Sequence, residues 1–211
     1  MVPVNNPLSD AISIIRKDWK LLAGLNALYF CILVIGAALA LISPGLHMSM
    51  IQFIGAETIG GQLNPPHAGI VESLETAGGY MVSSFGLNTL GMITIPSIIL
   101  PLWAPVIGSA RFFIWGVTYV SPLEGVLTMQ NLLPQYVAML IEGEAYIIAI
   151  FACIRQLITA IDNMGAGMKW MLREYAYAVL ENLKLIIVVF ILLAIASLYQ
   201  AFVIPALAGL F

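Results

Sequence analysis

The sequence has very few charged residues. Only 9% of its 211 residues are Asp, Glu, Lys or Arg, whereas soluble domains average about 25%. So few charges cannot cover the surface of a water-soluble protein of this size, which excludes a soluble globular enzyme, a disordered protein and a disulfide-rich secreted module. Basic residues are scarce as well, since eight Lys and Arg give a formal net charge of −3. This scarcity excludes nucleic-acid binding as a main activity.

Cysteine and histidine are also rare, with two of each in the chain. Cys31 and Cys153 both fall within long apolar runs, so we interpret them as buried apolar side chains that form no disulfide. Neither His47 nor His67 belongs to a cluster with metal-ligand spacing. The motifs GxSxG and HExxH and a phosphate-binding glycine loop are missing too. The sequence therefore predicts no metal, no cofactor and no enzyme activity.

Long apolar runs dominate what the chain does contain. It is 61% hydrophobic, with a mean hydropathy of +1.00. Because a helix needs about 20 apolar residues to cross a bilayer, the candidate spans are 21–43, the two halves of 81–120, 135–154 and 185–210. Pro101, Pro105, Gly108 and Ser109 mark the break inside 81–120. We predict an all-α fold, a polytopic transmembrane helical bundle of about five spans that forms one domain over residues 21–211.

The basic residues follow a pattern along the chain. No Lys or Arg occurs in 44–80 or in 121–134. With five spans, all the basic residues fall on one side of the membrane: Arg16, Lys17, Lys20, Arg111, Arg155, Lys169, Arg173 and Lys184. Because Lys and Arg accumulate on the cytoplasmic side, we predict a multi-pass protein of the cell membrane with a cytoplasmic N-terminus and an extracytoplasmic C-terminus. We expect these eight side chains to contact lipid headgroups of the bilayer at the inner surface.

Three segments are predicted to lie outside the hydrocarbon core. The N-terminal segment 1–20 contains a short amphipathic helix over 8–20, with Ser9 as its N-cap, on the inner surface. The inner segment 155–184 contains a second amphipathic stretch over 166–184. The outer segment 44–80 is acidic and interrupted by glycine and proline pairs. This composition favours a solvated loop, and the alternative is that the segment caps the outer face or contacts a partner.

Polar side chains interrupt the predicted spans at Asn88, Glu142, Glu144 and Gln200. Each is a candidate functional residue, because ionisable and polar groups are costly inside a bilayer. Glu142 and Glu144 differ by about 200° around a helix, so they cannot face the same cavity. Asn88, Glu142 and Gln200 each lie about 10 to 13 Å from the outer ends of their spans. We hypothesise that these three meet in one layer, which is either hydrogen-bonding glue between helices or a site for a ligand, proton or ion.

Three short motifs follow one another in the second half of the chain: Phe85-Gly86-Leu87-Asn88, Glu142-Gly143-Glu144-Ala145-Tyr146-Ile147-Ile148-Ala149 and Tyr199-Gln200-Ala201-Phe202-Val203-Ile204-Pro205. They resemble the F-x-N-N start, the E-x-x-A-Y-x-x-A helix and the closing signature of the stage II sporulation protein M family. The break from Pro101 to Gly108, with the apolar stretch to Val120, resembles that family's middle hairpin, and the order and spacing of these pieces span most of residues 81–211. Leu87 and Gln200 stand where the family has Asn and Glu. The resemblance implies a multi-helical integral membrane protein without established enzyme chemistry. The family's namesake holds cell-wall hydrolases at a membrane.

These observations leave two hypotheses for the function. The first is a non-enzymatic scaffold or accessory subunit of a membrane complex, which implies a protein partner or a homo-oligomer. It depends on the family resemblance, the missing catalytic residues and the two amphipathic inner helices. The alternative is a permease-like component for a small solute or ion, acting with or without a separate ATPase, and it depends on the polar residues within the spans. An intramembrane enzyme is disfavoured because no nucleophile–base pair is visible.

Overall fold

The computed structural model describes residues 6–54, 69–120, 122 and 129–208, and within these ranges every regular element is helical. The helices are α1 (Pro7–Lys17), α2 (Trp19–Ile42), α3 (Pro44–Ile54), α4 (Ile70–Ile99), α5 (Trp103–Tyr119), α6 (Met129–Asp162) and α7 (Met168–Leu207). A short 3₁₀ turn, Met164–Ala166, joins α6 to α7. The predicted all-α bundle is confirmed.

Four of these helices, α2, α4, α6 and α7, are long and apolar enough to cross a membrane. The chain is therefore a membrane protein. The remaining predicted span corresponds to α5, which has 17 residues. At 1.5 Å per residue it measures about 25 Å, slightly less than the roughly 30 Å of a hydrocarbon core. The predicted break is present at Pro101, because α4 ends at Ile99 and α5 begins at Trp103. Pro105, Gly108 and Ser109, which were also expected to mark it, lie inside α5.

Two helices extend beyond their predicted limits. α4 begins at Ile70, well before Met81, and α7 begins at Met168, well before Leu185. The amphipathic stretch predicted over 166–184 is thus mainly the first half of α7. The physical reason is that no glycine or proline interrupts the chain between Met168 and Leu198, so nothing ends the helix there.

The N-terminal helix is present but is packed differently from a lone surface anchor. α1 begins at Pro7, and the side chain of Asn6, in place of the predicted cap Ser9, accepts a hydrogen bond from the Leu8 amide at 3.1 Å. Its buried residues Ala11 and Ile14 belong to the same apolar core as α7, against which the helix packs. The side of α1 that carries Ala11 and Ile14 is therefore used within the chain, whereas Ile12 stays exposed.

The described parts of the segment 44–80 are helical, where the sequence favoured a solvated loop. α3 packs against α2 and α5 and buries His47 and Ile51, which are four residues apart and so share one helical face. The His47 ring lies 3.4 Å from the Thr118 carbonyl oxygen of α5. Residues 55–68, which include His67, lie outside the described part of the chain.

Wide π-helical turns precede two prolines. Val82–Thr94 in α4 and Tyr199–Val203 in α7 are π-helical, and Pro96 and Pro205 follow them. Since proline has no N–H, the carbonyl four residues earlier loses its helical partner. The carbonyl of Met92 is in that position relative to Pro96, and the indole Nε1 of Trp103 donates to it at 2.8 Å. The turn between α4 and α5 thus places the Trp103 indole against α4, where its N–H replaces the one that Pro96 lacks.

Helices α2 and α5 approach each other closely at two glycines. A Cβ atom on Gly36 would overlap the Phe113 carbonyl oxygen, and one on Gly116 would overlap the Leu33 carbonyl oxygen. Small residues permit such backbone contact between membrane helices. Because this contact sets the rotation of α5 about its axis, it decides which of the helix's residues face α4 and α6.

We expect Gly116→Ala to lower the free energy of unfolding by about 1–3 kcal/mol, because the two backbones must separate. Unfolding in detergent, followed by circular dichroism, measures the change. Gly24→Ala in α2 is the matched control, since a Cβ at Gly24 meets nothing within 4 Å. The control is expected to leave stability unchanged or to raise it by up to about 1 kcal/mol. Equal effects of the two substitutions would contradict the close approach.

Candidate functional site

A cavity of about 400 Å³ lies between α4, α5, α6 and α7, and Ile54 at the end of α3 also lines it. Its volume falls in the range of about 300–1,000 Å³ that is usual for small-molecule sites. Three of the four residues singled out from the sequence line it: Asn88 from α4, Glu142 from α6 and Gln200 from α7. The structure therefore brings these three residues together in one cavity, because they lie at similar depths along their helices.

Glu142 is at the centre of the polar contacts in this cavity. Its Oε1 accepts hydrogen bonds from the Ser84 hydroxyl at 2.9 Å and from the Tyr146 hydroxyl at 2.5 Å. Its Oε2 accepts a longer bond of 3.4 Å from the Gln200 amide. Ser84 and Gln200 come from the π-helical turns of α4 and α7, so the carboxylate connects three helices. Glu142 itself is buried, with 9% of its surface exposed.

Arg111 is the cation that faces this carboxylate. Its Nη2 lies 3.6 Å from Glu142 Oε1 and donates to the Tyr146 hydroxyl at 3.0 Å. The guanidinium carbon lies 4.2 Å from the centroid of the Tyr146 ring and 5.1 Å from that of Trp115. Arg111 is therefore engaged within the bundle, where the sequence predicted a headgroup contact. The physical reason is that Arg111 lies midway along α5, where a buried carboxylate and two aromatic faces are nearer than either end of the helix.

Arg155 and Lys184 also contact protein groups where lipid headgroups were expected. Arg155 pairs with Asp18 at 2.8 Å and with Glu181 at 3.0 Å. Lys184 pairs with Asp10 at 2.8 Å. We call the end of the bundle that holds these ion pairs the basic end. The acidic residues at the start of α2 and on α1 and α7 are close enough to neutralise both cations, so the pairs hold α1, α2, α6 and α7 together.

The remaining basic residues are exposed: Arg16, Lys17, Lys20, Lys169 and Arg173. Arg173 lies 3.8 Å from Glu174 and 4.9 Å from the centroid of the Trp170 ring. Because their side chains are accessible, headgroup contacts stay the prediction for these five.

Glu144 points away from the cavity. Its Oε1 accepts a 3.4 Å hydrogen bond from the Asn26 amide of α2, and it does not line the cavity. This separation follows from the angle of about 200° between positions two apart on a helix.

In the described residues no group of three or more His, Cys, Asp or Glu side chains could hold a metal ion.

Two buried polar atoms of cavity-lining residues have no hydrogen-bond partner. They are Nε of Arg111 and Oε1 of Gln135, a residue that is 9% exposed. Buried polar groups in proteins are nearly always hydrogen-bonded, and leaving one unsatisfied costs about 1–3 kcal/mol. Both atoms are buried within the wall of the cavity, so Arg111 and Gln135 line it through other atoms of their side chains.

Sequence reasoning missed Ser84, Arg111, Gln135 and Tyr146 as members of this site. Arg111 could have been found, because it lies eight residues before the end of α5 at Tyr119, or about 12 Å at the helical rise. That depth equals the one estimated for Glu142 from Pro134. Ser84 and Tyr146 carried no signal of their own, since a hydroxyl in an apolar span is common and becomes informative only when its neighbour is known.

We expect Glu142→Gln to destabilise the protein by about 3 kcal/mol, because it leaves the partly buried Arg111 cation without its counter-charge. A double variant that also carries Arg111→Gln should recover part of this loss. Chemical unfolding of the four proteins in detergent gives the coupling energy. Glu144→Gln is the control, and its effect should stay below about 1 kcal/mol, since its partner is an amide. A coupling energy near zero would show that the two charges act independently.

In comparisons with family models, curated proteins and solved structures, nothing matches this chain. The resemblance to the stage II sporulation protein M family therefore stays a prediction, and the function has to be argued from the cavity itself.

Proposed function

We propose that this protein binds a small polar solute within the membrane and acts as a permease-like component. The observation that carries the proposal is the cavity of about 400 Å³ whose wall holds a cation, an anion and several uncharged polar side chains. Ligand sites combine mostly apolar walls with a few convergent polar groups. Here Ile107, Ile114 and Met139 supply apolar wall beside the polar residues.

The irregular helices support the same role. Ser83, Ser84 and Asn88 come from the π-helical turn of α4, and Gln200 comes from that of α7. Departures from regular helix within a membrane are tolerated where they are buried in protein or line a cavity. π-Helical turns occur frequently at functional sites, and interrupted helices form the solute sites of many transporters. Both irregular segments of this bundle contribute to one cavity.

The motifs behind the family resemblance also meet at this place. Asn88 belongs to the first motif, Glu142 and Tyr146 to the second, and Gln200 to the third. Each motif thus contributes a side chain to the cavity or to its central carboxylate. We therefore propose that the chain is a member of that family and that the cavity is where the family's motifs converge.

The scaffold or accessory role, which the sequence placed first, draws less support from the described residues. That hypothesis depended in part on two amphipathic helices at the inner surface that would bind partner proteins. α1 instead buries Ala11 and Ile14 in the chain's own core, and the second amphipathic stretch is part of α7.

We also propose a location in the cell membrane with the basic end facing the cytoplasm, because all the exposed basic side chains of the described residues are at that end or on α1.

Water access to the cavity tests the proposed function. In a background without Cys31 and Cys153, Asn88→Cys is expected to react with a small water-soluble thiol reagent in membranes. Leu87→Cys is the matched control, since it lies at the same depth but its side chain faces outward, with 63% of its surface exposed. Leu87→Cys should not react, because lipid surrounds it. An unreactive Asn88→Cys would indicate that water does not reach the cavity and would contradict the proposed function.

Orientation is tested with single cysteines at the two ends of the bundle. A membrane-impermeant thiol reagent added to intact cells should label Glu72→Cys, at the start of α4, and should leave Lys169→Cys unlabelled until the cells are opened. Both positions are exposed, so accessibility alone does not separate them. The reverse labelling pattern would place the basic end outside.

A further inference from the structure

The two charges in the wall of the cavity neutralise each other. Among the described residues that line it, Arg111 and Glu142 carry the charges, and Nη2 of the first lies 3.6 Å from Oε1 of the second. A solute with a net charge would bring a charge without a counter-charge into a site surrounded by apolar helices, where unpaired charges are costly. The cavity therefore favours solutes without net charge.

The same pair disfavours a zwitterion. Three side chains already donate hydrogen bonds to the Glu142 carboxylate. The Arg111 guanidinium donates to the Tyr146 hydroxyl and lies against that ring. A zwitterion would have to bind each of its charges to one member of the pair, and so compete with the contacts that the two members already make. An uncharged solute leaves these contacts intact.

Helix α4 presents uncharged polar groups to the cavity. The hydroxyls of Tyr80 and Ser83 and the amide of Asn88 line it, and within the described part of the chain these side chains form no hydrogen bond. Ser83 is exposed, and Tyr80 and Asn88 are partly exposed, so a solute can reach them. Hydroxyl and amide groups both donate and accept hydrogen bonds. This side of the cavity therefore suits a solute whose own groups do both, as hydroxyls do.

Other parts of the wall are apolar. Ile107, Ala110 and Ile114 of α5 and Met139 of α6 line the cavity as well. The three residues of α5 are three and four positions apart and so share one face of that helix. A solute that contacts both kinds of wall needs hydroxyl groups for α4 and C–H groups for α5. A short carbon chain with several hydroxyl groups has both.

We propose that the cavity binds a small uncharged polyol. Its hydroxyl groups exchange hydrogen bonds with Tyr80, Ser83 and Asn88, and its C–H groups lie against the apolar face of α5. The pair of Arg111 and Glu142 stays closed beside the solute and makes the site unfavourable for ions. This inference depends on the proposed function, since it names the solute class for the same cavity.

Binding to the full chain in lipid nanodiscs tests the solute class. Isothermal titration compares glycerol with three relatives of similar size, which are glycerate, an anion, aminopropanediol, a cation, and L-serine, a zwitterion. We expect glycerol to bind, and each charged relative to bind more weakly by about tenfold or more, because its charge finds no free counter-charge. Absence of glycerol binding, or equal or tighter binding of a charged relative, would overturn the polyol.

Charge variants test the reason for the exclusion of ions. Glu142→Gln leaves Arg111 uncompensated, so the affinity for glycerate relative to glycerol should rise about tenfold. Arg111→Gln should raise the relative affinity for aminopropanediol by a similar factor, and the double variant should prefer glycerol as the wild type does. Glu144→Gln is the control, because Glu144 does not line the cavity. Unchanged relative affinities in both single variants would overturn the role of the pair.

Ser83→Ala tests the polar side of the cavity and keeps the test valid if the single charge variants fail to fold. Its hydroxyl has no hydrogen bond to lose within the described residues, so we expect an unchanged unfolding temperature. The affinity for glycerol should fall about threefold, which corresponds to the loss of one hydrogen bond. Ser49→Ala on α3, exposed but outside the cavity, should leave the affinity unchanged. Wild-type affinity in Ser83→Ala would overturn the assignment.

The outcome for the solute class is separable from that for the proposed function. If glycerol does not bind but Asn88→Cys still reacts with the water-soluble reagent, the polyol is wrong and the solute cavity stands. If neither binding nor labelling occurs, both proposals are wrong.

Discussion

A carboxylate buried among membrane helices has to be neutralised or fully hydrogen-bonded, and most of the arrangement around the cavity follows from Glu142 meeting that requirement. Its two oxygens receive bonds from Ser84 on α4, Tyr146 on α6 and Gln200 on α7, and Arg111 of α5 supplies the counter-charge. Four helices thus converge on one side chain. Apolar packing alone specifies their relative positions weakly, since lipid tails are as apolar as the helix surfaces.

Regular helices would not deliver all of these groups to the same point. The π-helical turns before Pro96 and Pro205 displace Ser84 and Gln200 from the positions that a regular helix would give them. Backbone contact at Gly36 and Gly116 holds α5 against α2. This contact leaves the side of α5 that carries Arg111 toward α4 and α6. Prolines and glycines, which weaken helices in isolation, therefore position the polar residues of the cavity.

Two arginines in this bundle show how a structural ion pair differs from a candidate binding site. Arg155 uses Nε, Nη1 and Nη2 for Asp18, Asn182 and Glu181. Its hydrogen-bonding capacity serves to join helices at the basic end. Arg111 binds through Nη2 and leaves its buried Nε unpartnered beside a cavity. Both are partly buried cations opposite carboxylates, but only Arg111 lines the cavity.

The sequence by itself determined the class of protein, the order of its helices and the break at Pro101, because hydropathy and helix-breaking residues act locally along the chain. It also indicated that Asn88, Glu142 and Gln200 lie at similar depth and that Glu144 faces elsewhere, since both follow from the helical rise and turn. Only the tertiary structure decided that Arg111 pairs with Glu142, that Gln135 keeps an unpartnered oxygen and that α3 packs on the bundle. Those outcomes depend on how each helix is rotated and crossed against its neighbours. Contacts between residues distant in sequence set these angles, and no local pattern encodes them.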